Sequence, residues 1–166
     1  MDKPVFVYVT YIATTPEKLW QALTDGAFTQ QYWAGIRLDS TWVPGAPVTF
    51  RMGDEIYNTG AVLAYEPHRR LSYSWKVEIH EVFRRERPSR VTFEIEPIGS
   101  EVKLTVTHDN FDPDSKVLGA VSNGWPMVLA SLKSFLEIGH GLAVSGPEAA
   151  KRTKEKIIAD AQAKAS

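Results

Sequence analysis

Apolar and polar residues alternate with period two through the middle of the chain and with a period near 3.6 on either flank. Val48, Phe50 and Met52 alternate with Thr49 and Arg51, and Leu71, Tyr73, Trp75, Val77 and Ile79 with Ser72, Ser74, Lys76 and Glu78. Val91, Phe93 and Ile95 alternate with Thr92, Glu94 and Glu96, and Val102, Leu104 and Val106 with Lys103, Thr105 and Thr107. Strict alternation dries one face of each strand and wets the other, which is the habit of antiparallel sheet. The linkers at 43–45, 52–54, 66–67 and 97–100 are short and each carries Gly or Pro, some with Asp or Ser. They leave no room for crossover helices, so the strands are predicted to follow one another as hairpins. Residues 5–13, rich in β-branched and aromatic side chains, predict one more strand.

Two helical segments follow that first strand. Thr14 and Glu17 have capping-box spacing, while Thr15 before Pro16 fits an N-cap with proline at the first helical position. Either register starts a helix with Leu19, Trp20 and Leu23 as its stripe and Asp25-Gly26 as its end. A short helix is predicted over 28–33, stopped by Gly35. Helical period returns near the end of the body, where Ser122 or Asn123 can cap and Pro126 falls in the first turn. Trp125, Val128, Leu129, Leu132, Phe135 and Leu136 then share one face. A meander with one apolar face needs a cover, and this helix is the element large enough to lie across it. The prediction is an α+β fold in one domain over 1–142. Residues 143–166 are Ala- and Lys-rich, with only Ile157 and Ile158 as bulky apolar residues. So narrow a stripe reads as a weakly helical or frayed tail rather than a docking or dimerising helix.

Composition narrows the chemistry. The 166 residues suit a single sizeable core. The absence of Cys excludes disulfides, thiolate metal sites and cysteine nucleophiles. A net charge of −1 offers no field to gather nucleic acid. Met1-Asp2-Lys3-Pro4 lacks the basic and apolar regions of a signal peptide, and no apolar run approaches the roughly 18 residues of a membrane span. The expectation is a cytoplasmic protein with no nucleic-acid partner and no membrane insertion. The four histidines, His68, His80, His108 and His140, are scattered without metal-ligand spacing. Phosphate-cradling glycine loops and the Gly-x-Ser-x-Gly elbow are missing, so no cofactor and no metal are expected.

His108 shares the inward parity of Val102, Leu104 and Val106. It is either a weak candidate for a general base or a histidine satisfied by a neighbouring backbone group. Asp109, Asp112 and Asp114 read as turn chemistry. Arg84, Arg85, Arg87 and Arg90, interleaved with Glu81 and Glu86, read as a solvated hairpin loop rather than an anion-binding mouth. The dense inward aromatics, with Trp42 and Tyr65 as further candidates, fill a core or line a pocket.

Ordered fragments carry a family resemblance: Ala-Thr-Thr-Pro-Glu-Lys-Leu-Trp-Gln-Ala-Leu-Thr-Asp at 13–25, Gln-Tyr-Trp-Ala-Gly at 31–35, Arg-Arg-Leu-Ser-Tyr-Ser-Trp at 69–75, Leu-Thr-Val-Thr-His at 104–108, and Gly-Trp-Pro-Met-Val-Leu at 124–129. In this order the chain resembles the bacterial proteins related to the activator of the ninety-kilodalton heat-shock protein ATPase, within the SRPBCC (START and Bet v-type) superfamily. The resemblance implies a helix-grip fold: a curved antiparallel sheet wrapped around a long C-terminal helix, with two short helices after the first strand and a cavity between sheet and helix. It also implies a guest, since members of the superfamily hold apolar molecules there. The expected function is therefore binding of a small hydrophobic ligand, lined by Trp33, Phe50, Met52, Tyr73, Trp75, Phe93, Trp125, Val128 and Leu132, with His108 or Tyr73 as polar contact. No catalytic residue is assigned. The alternatives are a co-chaperone-like regulator of a heat-shock ATPase and a cyclase- or hydrolase-like cavity enzyme using His108. A homodimer or a chaperone partner is compatible with either binding role.

Overall fold

The period-two segments become one seven-stranded antiparallel sheet in the computed structural model, which describes residues 3–143 together with Glu155, Ala159, Gln162 and Ala163. The strands are β1 (Phe6–Ile12), β2 (Arg37–Asp39), β3 (Pro47–Met52), β4 (Glu55–Glu66), β5 (Arg70–Val77), β6 (Ser89–Ile98) and β7 (Glu101–Asp109). Their order is β1-β7-β6-β5-β4-β3-β2, so β2 to β7 form the expected meander and β1 pairs with β7 at the far edge. Two strands escaped the reading by period. β2 is three residues long. β4 breaks its own alternation at register shifts between Phe50 and Arg51 and between Val62 and Ala64. A Cβ on Gly60 would meet Ser74 O at 1.9 Å, so only glycine permits so close an approach of β4 to β5.

Helix α1 (Pro16–Thr24) takes the second of its two possible caps, with Thr15 Oγ1 accepting from Lys18 N at 3.2 Å. Asp25 ends α1 through its own N–H to Gln21 O, and its carboxylate accepts from Ala27 N at 2.9 Å to start α2 (Gly26–Tyr32) at once. The second helix thus begins at Gly26 rather than Phe28. A four-residue helix, α3 (Glu81–Arg84), lies where a plain loop was expected, with His80 Nδ1 accepting from Val82 N at 3.2 Å. Lys76 Nζ donates to the carbonyls of Arg84 and Glu86 and ties this segment to β5.

The covering helix, α4 (Lys116–Ile138), corrects the expected start at Ser122 or Asn123. Its cap is Ser115, whose Oγ accepts from Leu118 N at 3.0 Å. Glu86, far away in sequence, accepts from Lys116 N at 2.8 Å and Val117 N at 3.2 Å and from the Ser115 hydroxyl. A carboxylate on the free N–H groups of a first turn both satisfies them and meets the positive end of the helix dipole. Ser122 and Asn123 instead bond back to Leu118 O and Gly119 O, and Pro126 sits inside the helix.

Val117, Val121, Trp125, Leu129 and Leu132 bury the inner face of α4 against the sheet, while Val128, Phe135 and Leu136 pack half-buried at its margins. At the other end Lys133 Nζ donates to Tyr11 O at 2.6 Å and Glu137 accepts from Ala13 N at 2.8 Å, binding α4 to the β1 edge. Among the described residues nothing covers the outer face of β1: Val7 is 55% exposed and Tyr11 51%. The expected tail over 143–166 lies almost wholly outside the described residues.

Candidate functional site

The centre of the hollow is filled by rings. Phe50, Tyr73 and Phe93 are at most 1% exposed, and Trp33, Phe50, Trp75 and Trp125 pack edge-to-face or tilted at centroid distances of 5.0 to 5.6 Å between most of their pairs. The open space lies to one side. A cavity of about 190 Å³ sits beneath the N-terminal half of α4, between that helix, α3 and the adjoining ends of β4 and β5.

Four of the ten residues expected at the site, Trp33, Trp75, Trp125 and Val128, line this cavity. Phe50, Tyr73, Phe93, His108 and Leu132 lie behind it in the packed interior, and Met52 is half-buried with its Sδ 3.9 Å from the Tyr57 hydroxyl. Parity alone places all of these on the inner face; it does not say which end of that face stays open. The remaining wall comes from Val77, Ile79 and Phe83 on one side and Val117, Ala120, Val121 and Gly124 on the other. The α4 residues have the i, i+3, i+4, i+7 spacing of one helical face, a signal hidden by placing the helix start too late. Tyr57 and Asn58 complete the wall from β4, the strand whose alternation is broken.

The polar groups here are few. Asn58 is 8% exposed, and its side-chain amide has no hydrogen-bond partner among the described residues. The indole N–H of Trp75, whose ring lines the cavity, and the Tyr73 hydroxyl, behind it, are sealed from solvent without a partner among the described residues. Burial pushes the Tyr73 hydroxyl well above its usual pKa, with nearby Tyr32 adding to the effect.

His108 does point inward, but both of its nitrogens are engaged by side chains rather than by backbone. Trp125 Nε1 donates to His108 Nδ1 at 3.0 Å. The ring proton therefore sits on Nε2 and is given to Ser89 Oγ at 2.7 Å, and Ser89 donates onward to Trp75 O at 3.4 Å. The imidazole stacks on Phe111 at 4.8 Å. Burial holds its pKa down at about 3, against a weaker opposite pull from Asp109. This is a neutral hydrogen-bonded strut, and neither nitrogen faces the cavity.

The arginine-rich segment pairs with the end of β7 and the acidic turn beyond it. Arg87 meets Asp112 at 2.8 Å, and Arg90 holds Asp109 through two bonds of 2.8 and 2.6 Å. Arg85 pairs with Glu81 one helical turn away. Among the described residues no three His, Asp or Glu converge as a metal site, and no helix is long and apolar enough to cross a membrane.

A curved sheet gripping α4, with an apolar cavity at one end, defines a helix-grip protein. The family described as activator of Hsp90 ATPase homolog 1-like protein matches residues 13–137, and the chain belongs to it. Among solved structures, a Mesorhizobium loti protein is 28% identical, with a TM-score of 0.69 over 80% of this chain and 96% of its own. The Aha1 dimer from Colwellia psychrerythraea is 22% identical, with a TM-score of 0.69 over 83% of this chain and 99% of its own. An HSP90 activator from Plasmodium falciparum is 22% identical, with a TM-score of 0.62 over 73% of this chain and 86% of its own. No curated protein matches the sequence.

Proposed function

We propose that the protein binds a small, mostly apolar molecule in the cavity under α4, without catalysing its conversion. The observation that supports this is a cavity of about 190 Å³ walled by three tryptophans and aliphatic side chains. Its size sets the class of guest. Apolar cavities of roughly 150 Å³ accept benzene, whereas sites for drug-sized ligands span roughly 300–1,000 Å³. A molecule of about one aromatic ring fits inside it; a sterol or a whole lipid would have to project from its open side. With His108 committed to Trp125 and Ser89, the site offers no free base, and this favours a binder over a cavity enzyme. A cytoplasmic setting suits a chain without cysteine.

Gly124 provides the test. A Cβ there meets nothing within 4 Å, and the residue lines the cavity. Gly124→Leu is expected to stabilise α4 by about 0.8 kcal/mol through helix propensity while filling the space. Titration of the wild type with isopropylbenzene, followed by tryptophan fluorescence, should saturate, and the variant should bind roughly tenfold more weakly or worse. A variant that binds as well as the wild type would reject the reading.

A second reading, regulation of an Hsp90-type ATPase, draws on the family and on the apolar face of β1 that no described residue covers, with Val7, Val9 and Tyr11 exposed and Val5 exposed just before the strand. Contiguous exposed apolar side chains on an edge strand mark a surface that another protein can cover. Adding the protein to such an ATPase is then expected to change its turnover, with Val9→Lys blunting the effect. An unchanged rate removes this reading. Sedimentation of the protein alone would show whether a second copy covers the face instead.

A further inference from the structure

Register lines up Phe50, Asn58 and Val77 across three neighbouring strands, Phe50 opposite Asn58 and Asn58 opposite Val77. The two outer members are apolar. Asparagine is a poor strand former, and its amide carries two donors and an acceptor. The residue is 8% exposed overall, but its amide has no partner among the described residues and is not one of the side-chain polar groups sealed from solvent, so it stays accessible to a guest in the cavity. The backbone shows the position is built. Tyr57 and Asn58 are consecutive, so regular pleating would send them to opposite faces, yet both line the cavity. They do so where the β3–β4 register shifts, and such bulges re-aim side chains beside functional sites. No Asp, Glu, Lys, Arg or His is among the residues lining the cavity, so an ionised guest would be buried without a counter-charge.

We infer that the cavity selects a neutral, ring-sized molecule bearing a carbonyl or carboxamide group, and that Asn58 is the specificity-determining residue that hydrogen-bonds this group. The inference rests on the cavity reading above and names the chemistry of its guest.

Three probes of similar size and shape test it: isopropylbenzene, benzamide and benzoate, each titrated by calorimetry into the wild type and Asn58→Leu. The wild type should bind benzamide and isopropylbenzene and exclude benzoate. Asn58→Leu should shift the affinity ratio roughly tenfold or more toward isopropylbenzene. Asn58→Ala provides the same comparison should leucine prevent folding. A ratio unchanged in both variants overturns the role of Asn58 and leaves the cavity standing. Benzoate bound as tightly as benzamide overturns the neutral class. No saturable binding of any probe to the wild type overturns the cavity reading and this inference with it.

Discussion

Acidifying the protein from pH 6.5 to pH 5 is expected to lower its unfolding free energy by up to about 1.4 kcal/mol per pH unit through His108 alone. The imidazole titrates near 6.5 once the chain unfolds, whereas burial in the fold holds it down at about 3. Between those values the unfolded state carries a proton that the folded state refuses, so stability rises with pH across the window. The contribution is fully present above 6.5 and drains away as pH falls toward 3. Carboxylates do not confuse the upper part of this range. Asp109, held low by its bonds to Arg90, and Glu137, held low by Ala13 N–H and Lys133, lose their contribution only as pH falls through the usual carboxylate values and below. Urea denaturation at a series of pH values reads the slope. His108→Gln, whose carbonyl can still accept from Trp125, should flatten it while retaining His68, His80 and His140. Equal slopes in the two proteins between pH 6.5 and 5 would mean that His108 takes up its proton in the fold.

The same residue shows how far a sequence carries an argument. Alternation places His108 on the inner face because Val102, Leu104 and Val106 demand it, and the fold agrees at 0% exposure. What the ring touches is a tertiary fact, set by Ser89 on the neighbouring strand and Trp125 on α4. Strands with one dry face, β3, β5, β6 and β7, are legible for that reason. β4 is not, since its bulges and Asn58 interrupt the period that would reveal it. The start of α4 is illegible for a different cause: its first turn is stabilised by Glu86, a partner no local window contains. Pro126 misleads in turn, because proline is best tolerated at a helix start and here sits in the interior, where its missing N–H removes one bond. The site inherits both errors. Trp33, Trp75, Trp125 and Val128 fall within the spans that the period marks, while the α4 wall before Ser122 and the β4 wall at Tyr57 and Asn58 fall outside them.

Trp125→Ala is expected to cost about 4–6 kcal/mol, enough to leave a domain of ordinary stability close to unfolded at room temperature. Two losses combine. The indole is 2% exposed and packs on Trp33, Trp75, Phe93 and His108, so its removal leaves a large void among rings that cannot collapse without losing their own contacts. It also donates the hydrogen bond that satisfies His108 Nδ1. Trp125→Phe separates the two, since it keeps most of the ring and loses the donor; its cost should be about 1–3 kcal/mol, below that of the alanine variant. The freed Nδ1 can then take a proton, because the bond from Trp125 favours only the neutral ring. Trp125→Phe should therefore raise the pKa of His108 and shallow the acid slope, which a cavity effect alone would not do. The two residues share one bond, so Trp125→Phe combined with His108→Leu should destabilise by less than the sum of the single changes. Strict additivity in that cycle, or a cost for Trp125→Ala below about 2 kcal/mol, would show that the indole and imidazole do not act as one buried unit.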